Sequence, residues 1–415
     1  MPDDRRTTAK HCSKIPARRV TIRGRKTPRQ VIVKSSKIRI GVLFGGRSGE
    51  HEISLRSALS VMSAMDPDRY EIVPIGIDRD GKWYLESDAL KMLAAATPHL
   101  AALSAGDTPV TLLPHPDSRA LVRAPAPGDL ARTGGAVAGE LDVIFPVLHG
   151  TFGEDGTVQG LLDLTGIPYV GAGVLGSAIG MDKDVQKRLL RDARVPVVRH
   201  LAIVHTDWIA SRAAARRFAR ELGFPVFVKP NAAGSSIGVS KVKRASELDA
   251  ALEDAFQYDR KALIEASCSG REFEVAVLGN DDPQASVAGE VIVAGTHEFY
   301  SYESKYVDPS GAATEIPARI PRATMKRLGQ IAIRAFKALS LRGMARVDFL
   351  ATRDLRKIYV NEVNTIPGFT SISMYPKLWE ASGIPIAKLI DRLVDLALEE
   401  HRERENLKFT YHPKA

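Results

Sequence analysis

RVDFLATRDLRKIYVNEVN, residues 346–364, consists of two apolar runs around a short polar turn, with polar residues recurring at every second position near its ends. That spacing puts Arg346 and Asp348 on one face of the first run, and Glu362 and Asn364 on one face of the second. A turn centred near Leu355 sets Asp348 opposite Glu362 and Arg346 opposite Asn364, with Cβ atoms about 5 Å apart. Carboxylates opposed so closely repel, so a cation belongs between them. Oxygen donors of the Asp, Glu and Asn kind suit magnesium, and the lack of His or Cys disfavours zinc. Two such ions about 4 Å apart would clamp a transferring phosphoryl group, with Arg346 facing the charge that develops. The plainer alternative is a solvated hairpin face on which Arg346 neutralises the acids.

Working outward, the loop NAAGSSIG (231–238) follows the strand-like PVFVKP (225–230). Its small residues let backbone N–H groups approach a phosphate, and Lys229 adds a point charge at the strand end. GxxxxGK[ST] occurs nowhere, so this is not a Walker A loop, and an ordinary hairpin turn explains it equally in isolation. Lys183 lies at the start of a helix capped by Asp182, where a lysine opposes the helix dipole unless an anion is near; surface exposure is the alternative. Glu265 and Glu272 bracket the polar SCSGR (267–271) and are placed to accept hydrogen bonds from an adenine amine and ribose hydroxyls. Glu50 closes GGRSGE at a strand-to-helix turn, where α/β sheets collect ligands; it suits a substrate ammonium, or it simply stabilises the helix dipole. His149 ends its own strand and either orients a carboxylate or is structural.

The chain begins its ordered pattern at Lys37 with the strand IRIGVLF (38–44), a Gly-rich loop and a helical series at Ile53, Leu55, Leu59 and Val61. With EIVPIGI (71–77) and LDVIFPVL (141–148) it describes an N-terminal doubly wound parallel-sheet domain. Residues 84–140, rich in Ala, Pro and Gly, read as insertions and variable helices. From 181 to 265 the pattern is helix, strand, helix, strand, strand, helix, strand. REFEVAVL, AGEVIVAG, a lid-like stretch 300–321, a helix over 322–340, the hairpin and a helical tail complete the chain. The expected units are 1–37, 38–171, 172–265 and 266–415, an α/β domain followed by α+β parts.

Of 58 basic and 49 acidic residues, 12 and 2 lie in residues 1–37, leaving a nearly neutral body of 46 and 47. A basic, aromatic-free, Pro-broken segment cannot bury enough apolar surface to order itself. It reads as an extension of no consequence ahead of a transit peptide or a nucleic-acid arm, so no nucleic-acid partner is expected. No run approaches the ~20 apolar residues of a membrane span. Cys12 and Cys268 fall on the tail and the body, so a structural disulfide is not expected.

These features resemble the D-alanine:D-alanine ligase family of the ATP-grasp superfamily. The resemblance spans about residues 38–400 through LFGGRSGEHEISL (43–55), LHGTFGEDGTVQGLLDLTGIPYVGAGVLGSAIGMDK (148–183), VKPNAAGSSIGVSKV (228–242), ESKYVDPSG (303–311), GMARVDFL (343–350) and NEVNTIPGFTSISMYP (361–376), in the family's order. It implies a two-part ATP-grasp fold after the first domain, with Lys183, Lys229 and Lys305 on ATP phosphates and Glu265 and Glu272 on the adenine and ribose. It further implies Asp348, Glu362 and Asn364 as ligands of two magnesium ions, with manganese as a substitute. Glu50 would hold the first D-alanine's ammonium beside His149, and Ser235 and Tyr306 would complete a hydrogen-bonded set with Glu50. Arg346 and the Gly368 backbone would stabilise the tetrahedral intermediate, and Ser373 and Met374 would receive the second D-alanine's carboxylate. The activity implied is ADP-forming synthesis of D-alanyl-D-alanine through an acyl phosphate, for peptidoglycan precursors in the cytoplasm, by a homodimer. Tyr306 in the lid favours an amine nucleophile. D-Alanyl-D-lactate or D-alanyl-D-serine synthesis, and a non-catalytic nucleotide-binding module of the same fold, are the alternatives.

Overall fold

The first strand, β1 (Ile38–Gly45), is apolar on both faces because both are covered, and Ile40, Val42, Leu43 and Phe44 are wholly buried. The computed structural model describes residues 37–85, 109–115, 119–123, 137–293 and 312–411. After β1 come α1 (His51–Ala64), β2 (Tyr70–Ile77), β3 (Trp83–Leu85), β4 (Pro109–Leu112), β5 (Ala120–Arg123), β6 (Val137–Glu140), β7 (Val143–Val147) and α2 (Thr157–Thr165). The sheet order is β6-β5-β4-β3-β2-β1-β7. Among its described strands, only β2, β1 and β7, the three read from sequence, pair in parallel. The described residues between 84 and 140 correct the expectation of insertions and helices: they form strands that extend the sheet antiparallel. Runs as short as PVTL and ALVR carry too few alternations to stand out from an Ala- and Pro-rich background.

Next are α3 (Val174–Met181), α4 (Lys183–Asp192), β8 (His200–Val204), α5 (Trp208–Leu222), β9 (Val226–Pro230), β10 (Ser240–Val242), α6 (Leu248–Ala255) and β11 (Lys261–Ala266). From α4 onward this is the expected alternation, element for element, and it builds an antiparallel sheet ordered β10-β9-β11-β8.

The third sheet is ordered β14-β13-β12-β15-β16. It comprises β12 (Gly270–Leu278), β13 (Gln284–Val293), β14 (Ala312–Glu315), β15 (Met344–Thr352) and β16 (Ile358–Asn364), with α7 (Arg322–Ala338) between β14 and β15 and α8 (Met374–Ala381) and α9 (Ile386–Glu405) after β16. Part of the stretch read as a lid is thus an edge strand, with β14 paired to β13. Residues 300–311 of that lid and the basic extension 1–36 lie outside the described residues. No helix among the described residues is long and apolar enough to cross a membrane.

Two helices join the first and third sheets. Tyr375, Leu378 and Trp379 of α8 and Leu389, Leu393 and Val394 of α9 share one buried cluster with Val42, Phe44 and Phe145 of the first sheet and Ala276, Leu278 and Met344 of the third. Tyr70 donates a hydrogen bond to Asp391 at 2.9 Å, and Arg69 pairs with it at 3.0 Å, which pins α9 to β2. This packing brings the ends of β1 and β7 to the hairpin. Leu393→Ala should therefore destabilise the chain by about 2–5 kcal/mol, read as a lowered urea midpoint.

Candidate active site

Between the second and third sheets lies a cavity of about 540 Å³, lined among others by Lys183, Lys229, Glu265, Glu272, Asp348 and Glu362. Its floor is the β15–β16 hairpin. The register pairs Arg346 with Asn364 and Asp348 with Glu362, as the sequence pattern required. Nearer the turn, Phe349 pairs with Val360 and Leu350 with Tyr359, one residue out of step with that register, so a bulge at Asn361 restores it where the carboxylates stand. Leu355 takes φ +58° to close the turn.

Asp348 faces a second acid on its other side, because Glu274 of β12 pairs with it directly. Three carboxylates therefore lie abreast across three strands. Arg346 compensates two of them: its guanidinium donates to both oxygens of Asp348 at 2.7 Å and lies 2.9 Å from Glu274. Asn364 donates its amide to Asp348 at 2.9 Å, and Lys183 stands 3.6 Å from Glu362. No group of three or more His, Cys, Asp or Glu converges as a ligand set among the described residues. The donor set is instead two carboxylates and an amide, with Glu274 committed to Arg346.

The roof carries the cations. Asp182 caps α4 by accepting from the Val185 N–H at 2.9 Å, and this places Lys183 at the helix start. Its ammonium donates to the Ala233 carbonyl in the Gly/Ser loop at 2.8 Å. In that loop Ser235 and Ser236 hold φ of +49° and +59°. Behind it, Glu265 is buried between Lys229 at 2.9 Å and Lys187 at 3.2 Å. Burial alone would raise the Glu265 carboxyl, but the two ammoniums overturn that and hold it at about 2. Burial pushes Lys187 down to about 8 despite Glu265, whereas for Lys229 the carboxylates of Glu265 and Glu362 outweigh burial and raise it.

Glu50 is the residue before α1, yet its side chain makes no cap hydrogen bond; instead it accepts from the Ser235 hydroxyl. A Cβ on Gly234 would come within 2.5 Å of its carboxylate, and one on Gly150 within 2.9 Å, so both glycines make room for it. His149 is buried, with both ring nitrogens engaged: Nδ1 lies 3.0 Å from the Ile366 carbonyl and Nε2 3.1 Å from the Ser57 hydroxyl. Because a carbonyl can only accept, Nδ1 carries the proton and Nε2 accepts from Ser57. Burial holds the imidazole below its ordinary value, which keeps this neutral tautomer. Gly368 lies close to Ser373, whose Oγ accepts from the Thr370 N–H at 3.0 Å; a Cβ at 368 would meet that Oγ at 2.7 Å. Ser373 and Met374 open α8, and the Met374 side chain belongs to the core, which leaves its backbone for a ligand. Lys305 and Tyr306 lie outside the described residues.

Two sequence profiles divide the chain, "D-ala D-ala ligase N-terminus" over residues 39–172 and "D-ala D-ala ligase C-terminus" over residues 189–395. The chain belongs to the D-alanine–D-alanine ligase family. It is 48% identical over 381 residues to D-alanine–D-alanine ligase A of Bradyrhizobium diazoefficiens, spanning 91% of this chain and 99% of the relative. The corresponding protein of Chromobacterium violaceum is 47% identical over 371 residues, covering 89% of this chain and 98% of its own length. Among solved structures, the D-alanine–D-alanine ligase from Coxiella burnetii superposes with a TM-score of 0.73 at 38% identity, covering 89% of this chain and 97% of that one. The VanG D-Ala:D-Ser ligase from Enterococcus faecalis gives 0.74 at 34%, covering 87% and 100%. A shared fold therefore does not choose the second substrate within the family.

Three residues in or beside this cavity escaped the sequence reading. Glu274 shares the period-two face of Glu272 in REFEV, and Lys187 follows Lys183 by one helical turn, so both had a visible signal. Glu154 had none, because one of its two partners lies far away in the chain: its carboxylate accepts from the neighbouring Gly150 N–H at 2.8 Å and from the Ile366 N–H at 3.0 Å. Burial and the nearby Glu50 push its carboxyl up to about 8.

The buried triad sets a pH test. Glu265 titrates at about 2 in the fold against an ordinary 4.5, so its contribution is complete above 4.5 and is lost as pH falls toward 2. Glu265→Gln should cost about 3–5 kcal/mol at neutral pH by stranding two buried ammoniums. In urea titrations, the gap between parent and variant should close over that acid window.

Proposed function

We propose that the chain joins two D-alanines at the expense of ATP, with release of ADP and phosphate. The observation that carries this is the polarity of the cavity, with lysines at one wall and paired carboxylates at the other. A polyphosphate needs the first, and the divalent metal on which the family depends needs the second. Asp348, Glu362 and Asn364 offer hard oxygen donors on directly opposed strand positions, which fits magnesium or manganese. We take two ions as the complement, and their chemistry there is to neutralise charge on the transferring phosphoryl group.

Lys183 and Lys229, with Lys305 from outside the described residues, would orient the phosphates. Glu272 at the cavity wall suits the ribose hydroxyls, while an adenine contact by Glu265 would have to share a carboxylate already engaged by two lysines. Glu50, steadied by Ser235 and joined by Tyr306, would hold the first D-alanine's ammonium, so that its carboxylate reaches the γ-phosphate. His149, held within the fold, would act on that substrate by fixing the loop beside it. The resulting acyl phosphate loses phosphate when the second D-alanine's amine adds to its carbonyl carbon. Arg346 and the Gly368 N–H would meet the oxyanion, and the first turn of α8 at Ser373 and Met374 would receive the second carboxylate. Residues 172–265 and 266–415 would then be the two halves of the nucleotide clamp, with 38–171 as the substrate wall. A cytoplasmic homodimer serving peptidoglycan precursors completes the reading.

Adding D-alanine to chain, magnesium and ATP should release ADP and phosphate in step with dipeptide; AMP would refute the scheme. Asp348→Asn should lower kcat/KM on the order of 10²-fold or more, and near-parental turnover in that variant would count against the cation site. D-Serine and D-lactate supplied in competition decide the nucleophile.

A further inference from the structure

The strand that carries Glu362 and Asn364 is the outermost of its sheet. An edge strand has one unpaired row of N–H and C=O groups, which is satisfied only where another segment pairs with it. Here the free side is taken up by the segment from α4 to Val197. The Gln186 side-chain amide accepts from the Val363 N–H at 3.1 Å and donates to the Val363 carbonyl at 3.3 Å, as a neighbouring strand would. Its nitrogen also donates to the Gly180 carbonyl at 2.7 Å, which tethers it to the end of α3. Lys187 donates to the Asn361 carbonyl at 2.7 Å. The Pro196 carbonyl accepts from the Val360 N–H at 2.8 Å. Gln186 and Lys187 are both wholly buried, so these bonds face no competition from water.

The grip falls on either side of Glu362, at the bulge that sets the site. If the pairing of Phe349 with Val360 ran on without a bulge, Asp348 would face Asn361, and Glu362 would turn to the opposite face of the sheet. We propose that Gln186 and Lys187 are positioning residues that lock the Asn361 bulge and so hold Glu362 and Asn364 against Asp348. The inference rests on the reading of those three residues as the cation site. It also gives α4 two tasks, since the helix that presents Lys183 to the phosphates sets the strand presenting the carboxylates.

Gln186 is the residue to vary, because Lys187 also neutralises Glu265. With the full chain, ADP affinity is measured calorimetrically with and without magnesium for the parent, Gln186→Ala and Gln186→Glu; the latter keeps an acceptor for the Val363 N–H but loses both donations. Metal-free ADP affinity should be unchanged. The gain in affinity on adding magnesium should fall by about 10- to 100-fold in Gln186→Ala and by less in Gln186→Glu. The magnesium concentration for half-maximal turnover should rise in step, with KM for D-alanine unaltered. A variant that melts earlier but keeps the parent's magnesium gain marks a merely structural brace and overturns the proposal, as does an equal loss with and without metal. A parent whose ADP affinity ignores magnesium refutes instead the cation reading beneath it.

Discussion

Three carboxylates abreast on neighbouring strands are the constraint around which the molecule is arranged. Two unit charges about 5 Å apart repel by roughly 3 kcal/mol at an effective dielectric of 20, and Glu274, Asp348 and Glu362 present that problem twice over. Arg346 answers it for the inner pair, with one guanidinium shared by Glu274 and Asp348. Lys183, reaching in from a different sheet's approach, stands toward Glu362. A cation entering between Asp348 and Glu362 would compete with Arg346 for the same oxygens. The solvated-face and metal readings of the hairpin are therefore not rivals: Arg346 neutralises the acids in the bare fold, and on the proposed reading that would keep them together for a metal.

The opposite wall poses the mirror problem. Lys183, Lys187 and Lys229 crowd toward one place, and Lys187 is wholly buried. Glu265 between two of them lets the cluster exist without stranding a buried ammonium, and leaves the wall with an excess of positive charge for phosphates. The cavity is thus bipolar by necessity, and a nucleotide with a divalent ion is complementary to both ends.

The legible parts of this arrangement were those written at short range. Period-two spacing from Arg346 to Asn364 gave both faces of the hairpin, and Asp182 announced the helix that carries Lys183. Even there, the assumed turn centre was right at the site only because Asn361 bulges; nearer Leu355 the true pairing is one residue out of step. The strands between 84 and 140 were missed because each is about four residues long, too short for a period to emerge. His149 was legible as a candidate though its partners were not, and Glu154 was not legible at all, for a different reason. Both sit in LHGTFGED, but their partners Ile366 and Ser57 lie far away in sequence.

Those two residues also show what the first sheet contributes. Ser57 accepts from the Phe369 N–H at 3.1 Å while its hydroxyl donates to His149, and His149 in turn donates to the Ile366 carbonyl. Glu154 accepts from the N–H of the same Ile366. The backbone from Ile366 to Phe369, which includes Gly368, is therefore hydrogen-bonded at both ends to α1 and the loop after β7. To take a proton at Nε2 the imidazole would have to give up the hydrogen bond it accepts from Ser57, and burial already holds it below its ordinary value. On the proposed reading the histidine serves as a spacer and not as a base, fixing the loop that carries Gly368 against α1, beside the place where an acyl group and its nucleophile would meet.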